Sequence, residues 1–323
     1  MPDISIIIPT YNRLWSLPQA VDSCRGASCD VEILVVDDAS TDGTWAWLQE
    51  QPDVTVLRGK GLGKTWAVNQ AFDRARGRYV RFLDSDDWLH TDAIDAQFEI
   101  AEATKADLVV AGYDVYMDDA HERTQPWTYC DDFISQQLGE CDGSHYSAFL
   151  FRRNLLRDVP HRPDFALRDD RMLVLEVGLK NPDLAVYDEP ALCHRHHEKS
   201  RLQAVFGMRS VTRNLQQVRL YTYVLKQLHE RGDLTMRRRR AAASVLWPLA
   251  HWVAYTHPAE AEAIARWVYD LDPSFTPPEG GPLGWLYRTA GFRWTERLLR
   301  LRRVLLSPFR TAPEPESHTF EVP

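Results

Sequence analysis

Apolar residues early in the chain fall in short β-branched runs separated by helix-length stretches of mixed character. Residues 4–8 (Ile-Ser-Ile-Ile-Ile) read as a central strand that stops at Pro9. A helix is expected over 14–24, a strand over 31–36 and a short helix over 44–51. A strand over 54–57, a helix over 65–74 and a strand from Tyr79 follow. This β-loop-α repetition predicts a parallel sheet with right-handed crossovers. The ends of the four strands then share one edge, where open α/β sheets bind ligands.

Those ends are loaded. The first gives Pro9-Thr10-Tyr11-Asn12-Arg13, and the second gives Asp37-Asp38-Ala39-Ser40-Thr41-Asp42-Gly43. The third gives Arg58-Gly59-Lys60-Gly61-Leu62-Gly63-Lys64. The fourth, Phe82-Leu83-Asp84-Ser85-Asp86-Asp87, sets three carboxylates in four residues. Such a cluster repels itself unless a cation or solvent relieves it. A divalent metal carrying phosphates is one relief. An acidic turn, with Asp87 capping the next helix, is the plain alternative.

Downstream, a helix is expected over 91–104 and a strand over 107–115. Residues 117–143 are polar and irregular, either a binding loop or a floppy insertion. A strand over 146–151, a helix over 168–178 and a strand over 184–187 precede a histidine-rich loop at 193–201. From about residue 204 the spacing turns helical, as in Val211, Leu215, Val218 and Leu225. The apolar run 241–256 contains Pro248 and His251 and reads as a core helix, not a membrane span. Residues 272–284 read as a linker. Trp294, Leu298, Leu301 and Leu305 share a helix face among Arg297, Arg300, Arg302 and Arg303. The division expected is a catalytic domain at 1–204, a helical subdomain at 205–306 and a disordered tail at 307–323.

Composition narrows the class. The 323 residues are 44% hydrophobic and 26% charged, as in a soluble globular protein. A net charge of −8 argues against a general nucleic-acid binder. Five scattered cysteines suit a reducing compartment better than a disulfide framework. With no basic-then-apolar leader in view, a cytoplasmic protein is expected. Gly63-Lys64-Thr65 suggests a phosphate-binding P-loop, but position 58 is arginine and Gly59 stands one residue too close. An ATPase is rejected on that spacing.

The loops at 6–13, 35–44 and 82–87, in that order, resemble the family 2 inverting glycosyltransferases of GT-A fold. The resemblance runs over about residues 3–201. It implies an α/β fold, a Rossmann-like nucleotide-binding sheet flanked by helices, with a helical C-terminal region. It also implies a nucleotide-diphosphate-sugar donor, Mn2+ or Mg2+, and single-displacement transfer with inversion. UDP is the base favoured; dTDP and GDP stay open. Pro9, Thr10, Tyr11 and Arg13 would lie along the nucleotide, and Asp37 would accept from the base ring. Asp84 and Ser85 would meet ribose or sugar, and Lys64 the phosphates or sugar. Asp86 would ligate the metal. Gly63, Ala67 and Asn69 match the helix that follows the third loop; Val68 and Ala71 depart from it.

Arg168-Asp169-Asp170-Arg171 matches the acidic pair of that family, whose second member, here Asp170, is the expected general base. His194-Arg195-His196-His197-Glu198-Lys199-Ser200 resembles the segment that closes over the diphosphate. Arg195, His197 and Ser200 are its matching positions, and His197 is also expected to touch the metal. A zinc-protease reading fails because residue 201 is arginine. The acceptor, whether glycan, lipid-linked or small-molecule, is open. Arg237 to Arg240 and the basic stretch 294–306 either touch an anionic membrane at its inner face or simply stay solvated. The rival reading is a non-catalytic sugar-nucleotide binder that acts through its helical part.

Overall fold

The computed structural model describes residues 1–197 and 208–306; Ser200 and the expected tail at 307–323 lie outside them. The chain divides into two compact units, Met1–Phe133 with Cys141–Lys199, and Ile134–Glu140 with Ser200–Pro323.

The first unit is an α/β layer of the GT-A kind. Its opening strands are β1 (Ile4–Thr10), β2 (Val31–Asp37), β3 (Val54–Arg58) and β4 (Tyr79–Phe82). They alternate with α1 (Leu17–Asp22), α2 (Thr44–Gln49) and α3 (Lys64–Phe72). They pair in parallel, as the pattern predicts, and stand in the order β3-β2-β1-β4. Every residue of β1 is buried, because helices cover both faces of a parallel sheet. The short β5 (Trp88–Leu89), α4 (Ala93–Thr104) and β6 (Leu108–Met117) follow.

Beyond β4 the sheet is mixed. Next come β7 (Ala120–Gln125), the turn α5 (Phe133–Ser135), β8 (Leu150–Arg152), α6 (Asp169–Gly178) and β9 (Leu184–His196). β8 runs antiparallel to both β4 and β6, whereas β9 runs parallel to β6.

Three expectations change here. The stretch 117–143 is not all irregular: β7 folds back on β6 as a hairpin. Tyr146 to Ala148 is a single 3-10 turn, and the strand expected there begins only at Leu150. Cys193 to His196 is the end of a 13-residue strand, not a loop.

At the N-terminal edge of the sheet, Glu32 is 9% exposed and accepts from Ser5 Oγ (2.5 Å), Arg76 N (2.5 Å) and Gly77 N (3.1 Å). A Cβ on Gly77 would meet Ser5 N at 2.4 Å, so this crossing requires glycine. The edge opposite carries the candidate site.

The second unit is helical: α7 (Met208–Glu230), α8 (Met236–Ala254), α9 (Pro258–Leu271) and α10 (Gly281–Leu306). The run read as a core helix is α8, whose Trp247 is 1% exposed among Tyr269, Phe275, Tyr287 and Phe292. Among the described residues no helix is long and apolar enough to cross a membrane.

Candidate active site

The β1 and β2 ends are adjacent, since Thr10 pairs in register with Asp37. Pro9 and Thr10 are buried, and Tyr11 is exposed. Thr10 Oγ1 is buried with no partner among the described residues. Asn12 bridges the two loops: its N–H donates to Ser40 Oγ (2.8 Å) and its Oδ1 accepts from Thr41 N (2.8 Å).

Asp37 is fully buried, accepts from Ser40 N at 3.1 Å and forms an ion pair with Arg58. Its neighbour does a different job. Asp38 accepts from the N–H groups of Gly61 (2.8 Å) and Gly63 (2.7 Å), and so shapes the loop that starts α3. A Cβ on Gly59 would come within 2.6 Å of Asp38 Oδ1, so this loop has no room for a side chain there. Asp38 is therefore the builder, and Asp37 sits deeper in the same loop pair.

β4 is on the other side of β1, and Leu83 N donates to Ile7 O (2.9 Å), so the acidic turn begins beside the first loop. Ser16 Oγ donates to Ser85 O (2.8 Å), which holds that turn to the start of α1. Its three carboxylates separate into three environments. Asp84 Oδ1 takes Lys64 Nζ (2.7 Å) and the Tyr146 hydroxyl (3.3 Å). Asp86 Oδ2 faces His197 Nε2 (3.0 Å) and Arg13 (3.8 Å). Asp87 is buried and accepts from His194 Nδ1 (3.0 Å) and Arg195 N (2.8 Å), which pins β9 to the turn.

Electrostatics follows these partners. Burial pushes the Asp86 carboxyl up, but the His197 bond and Arg13 outweigh it and bring it to about 2. Burial wins at Asp87 and raises it. For Lys64, burial alone would lower the ammonium. Asp84, Tyr146, Asp169 and Asp170 instead hold it well above its usual value.

Lys64 thus ties the acidic turn to the acidic pair at the start of α6. Within that pair, Asp169 is buried and its Oδ2 lies 2.9 Å from His161 Nδ1. Burial opposes its ionisation, but Lys64 and His161 overcome this and lower its carboxyl. Asp170 is raised, first by burial and then by the charge of Asp169. Among the described residues its Oδ1 accepts a local bond, from Arg171 N at 2.7 Å.

Arg195 is 4% exposed. Its guanidinium lies over Trp88 at 4.6 Å and donates to Gln19, Asp118 O (3.2 Å) and Asp119 (3.0 Å). Trp15 stands edge-on to His197 at 4.8 Å.

Two groups suit a cation. Ligands in cis positions around a small divalent ion lie about 3 Å apart, and Asp86 Oδ2 and His197 Nε2 meet at 3.0 Å. Asp87, His145 and His194 each offer one atom within 4.8 Å of the others. His145 Nδ1, however, accepts from Ser147 N (3.3 Å), which leaves the ring proton on Nε2 and takes both nitrogens from a metal. The carboxylate–imidazole pair Asp86 and His197 fits better.

His145, Tyr146 and His161 carry no motif and were invisible in the sequence. They reach the site only through the turn before β8 and the loop before α6. Their aromatic packing, Phe82 with Tyr146 at 5.9 Å and with His161 at 4.8 Å, is a three-dimensional signal.

Residues 5–160 match the family model described as Glycosyl transferase family 2. The match takes in 156 of the 323 residues, and over that stretch the chain resembles glycosyltransferase family 2. Escherichia coli WfaP, a UDP-Glc:alpha-D-GlcNAc-diphosphoundecaprenol beta-1,3-glucosyltransferase, is 34% identical over 119 residues, 36% of this chain and 47% of that protein. Rhizobium meliloti ExoO, a succinoglycan biosynthesis protein, is 33% identical over 121 residues, 36% of this chain and 34% of that protein. The matched stretch spans about half or less of the length of these curated relatives. The crystal structure of S. aureus TarS 1-349 covers 93% of this chain and 91% of its own, with a TM-score of 0.61 at 16% identity. The same TarS fragment in complex with UDP-GlcNAc aligns with a TM-score of 0.53 at 15% identity, covering 93% of this chain and 92% of its own. These likenesses show the GT-A fold.

Proposed function

We propose that this chain is a glycosyltransferase that moves a hexosyl group from a UDP-sugar to an acceptor hydroxyl with inversion. UDP is supported by WfaP, whose name gives UDP-Glc, and by the UDP-GlcNAc complex of TarS. Asp37 reads the base ring, with Arg58 orienting it. Thr10, Tyr11 and Arg13 follow the nucleotide. Asp84 and Lys64 engage ribose and sugar.

Asp86 and His197 would hold the divalent ion, and an imidazole ligand favours Mn2+ over Ca2+. The chemistry a bound ion supplies is charge offset on the departing diphosphate. Arg195 is enclosed by Trp15, Trp88, Gln19 and Asp119, so its part is to brace the end of β9 beneath His197.

In the transfer step the acceptor oxygen attacks the anomeric carbon, the bond to the diphosphate oxygen breaks, and Asp170 takes the hydroxyl proton. The observation that carries this reading is the division of labour in the acidic pair. His161 occupies Asp169, while Asp170 keeps a raised affinity for a proton, which is what a base requires.

The test is a thermal-shift panel of UDP-, dTDP- and GDP-sugars with and without Mn2+, followed by NMR of the anomeric product. A UDP-sugar that raises the melting temperature only with Mn2+, and a product of inverted configuration, are expected. Retention of configuration would sink the proposal. Stabilisation without turnover by any acceptor would favour a pure binder.

A further inference from the structure

The last helix of the second unit presents a face that its own unit leaves uncovered. The backbone of α10 breaks at Gly291 (φ 76°, ψ 172°), so a second helical segment starts at Phe292. Phe292, Thr295 and Glu296 turn inward; Thr295 is 0% and Glu296 8% exposed. Trp294, Leu298 and Leu301 point the other way and are 58%, 51% and 60% exposed. At about 100° per residue these three fall within an arc of roughly 60°, nearly opposite the buried face. An ordinary surface helix puts polar residues there.

Charge is segregated on the same helix. α10 contains six arginines (288, 293, 297, 300, 302 and 303) and one acid, in a chain of net charge −8. That acid, Glu296, is buried, accepts from the Tyr287 hydroxyl at 2.6 Å and lies 2.7 Å from His251 Nδ1. Arg297 borders the apolar stripe, Arg300 lies farther round on the same side, and both are exposed; Arg297 lies over the Trp294 ring at 5.0 Å. A tryptophan-leucine stripe with arginines along one border is the composition of a helix that lies in a bilayer interface.

We infer that the segment from Phe292 docks on an anionic lipid surface, with Trp294, Leu298 and Leu301 in the headgroup boundary and Arg297 and Arg300 on lipid phosphates. A second copy of the chain fits this stripe poorly. An antiparallel two-fold contact along it would set the two arginine-rich borders against each other, and like charges repel. The contact is peripheral, since no described helix can cross a bilayer. The inference rests on α10 alone, so its failure and that of the proposed transfer are distinguishable. If both hold, a lipid-linked acceptor becomes the natural class to test first.

The experiment is flotation of the full chain with phosphatidylcholine vesicles, with and without about 30% phosphatidylglycerol, at ionic strengths of about 0.05 and 0.5 M. Two double variants are compared: Trp294→Ser with Leu298→Ser, and Arg297→Glu with Arg300→Glu. All four positions are exposed, so folding is expected to survive, checked by circular dichroism, and hydrolysis of soluble donor should be unchanged.

Binding should need the anionic lipid, weaken at high salt, and fall at least about tenfold in either double variant. Equal binding to neutral vesicles, no binding to anionic ones, or wild-type binding by both variants would overturn the inference. So would a dimer in sedimentation that Trp294→Ser with Leu298→Ser dissolves, because the stripe would then be an interface between copies.

Discussion

His161 Nδ1 lies 2.9 Å from Asp169 Oδ2, and both side chains are buried. The bond separates two adjacent carboxyls into one that is held and one that is available. Asp170→Asn should therefore cut transfer by about 10²- to 10⁴-fold, the usual worth of a positioned general base. Donor binding, read by thermal shift, should persist. Transfer above a tenth of the wild-type rate would remove Asp170 from the role.

The acid limb of kcat/KM gives a second reading of the same pair. Asp170 must be ionised to accept a proton, and burial and Asp169 raise its pKa above 3.8. Activity should fall as pH drops through that raised value. Asp169→Asn removes the neighbouring charge, so the limb should move to lower pH. A limb that stays in place, or moves up, contradicts the coupling.

The sign for stability is opposite to the usual carboxylate case. A folded pKa above the unfolded one means the folded state binds more protons. Asp170 then costs stability as pH rises from the unfolded value through the folded one, and the cost is complete above it. At neutral pH, Asp170→Asn should melt higher than wild type while being inactive, the trade expected at a built site. Scanning calorimetry at pH 7 checks this, and a lower melting temperature counts against it.

How far the sequence could be read depends on whether a residue acts through its own segment. β1 was legible because five β-branched or small residues before Pro9 have one favourable home, a strand buried on both faces. β9 was read short because Asp188-Glu189-Pro190 interrupts its apolar run, at the register shift opposite Gly112. β7 left no trace, since Ala120 to Arg123 are all exposed and carry no alternation. The acidic turn stood out as a motif, but its three fates did not: they depend on Lys64, His197 and His194, which are distant in sequence. His161 could be found only once the loop before α6 had folded.

Asp86 and His197 should titrate together with metal. Asp86→Asn or His197→Ala should weaken Mn2+ binding by at least on the order of 100-fold, beyond the loss typical of residues behind the ligands. Isothermal titration with Mn2+ and UDP reads this directly. Equivalent loss from His145→Ala, with His197→Ala neutral, would move the ion to the Asp87, His145 and His194 group.

Asp37 is buried and bound to Arg58, so a change there leaves Arg58 and Ser40 N without their acceptor. Asp37→Ala should raise KM for the donor far more than it lowers kcat, with a loss of about 1–3 kcal/mol in binding. It should also narrow the preference between UDP and other bases. An unchanged base preference would take Asp37 out of recognition.

Glu32 separates fold from function, because its network sits at the sheet edge away from the site. Removing the carboxylate leaves the buried Ser5 Oγ without its acceptor and Gly77 N with Ser5 Oγ alone (2.8 Å), a cost of about 1–3 kcal/mol. Burial raises its carboxyl, but Ser5 and Arg76 overcome this and lower it from 4.5. A lowered folded value means this stability is present above the unfolded pKa and lost as pH falls through the folded one. Glu32→Ala should therefore lower the melting temperature at pH 7 and flatten its fall in acid, with kcat unchanged at a temperature where the variant is folded. A variant that melts like wild type, or loses turnover while folded, would show that the far edge of the sheet serves something other than the fold.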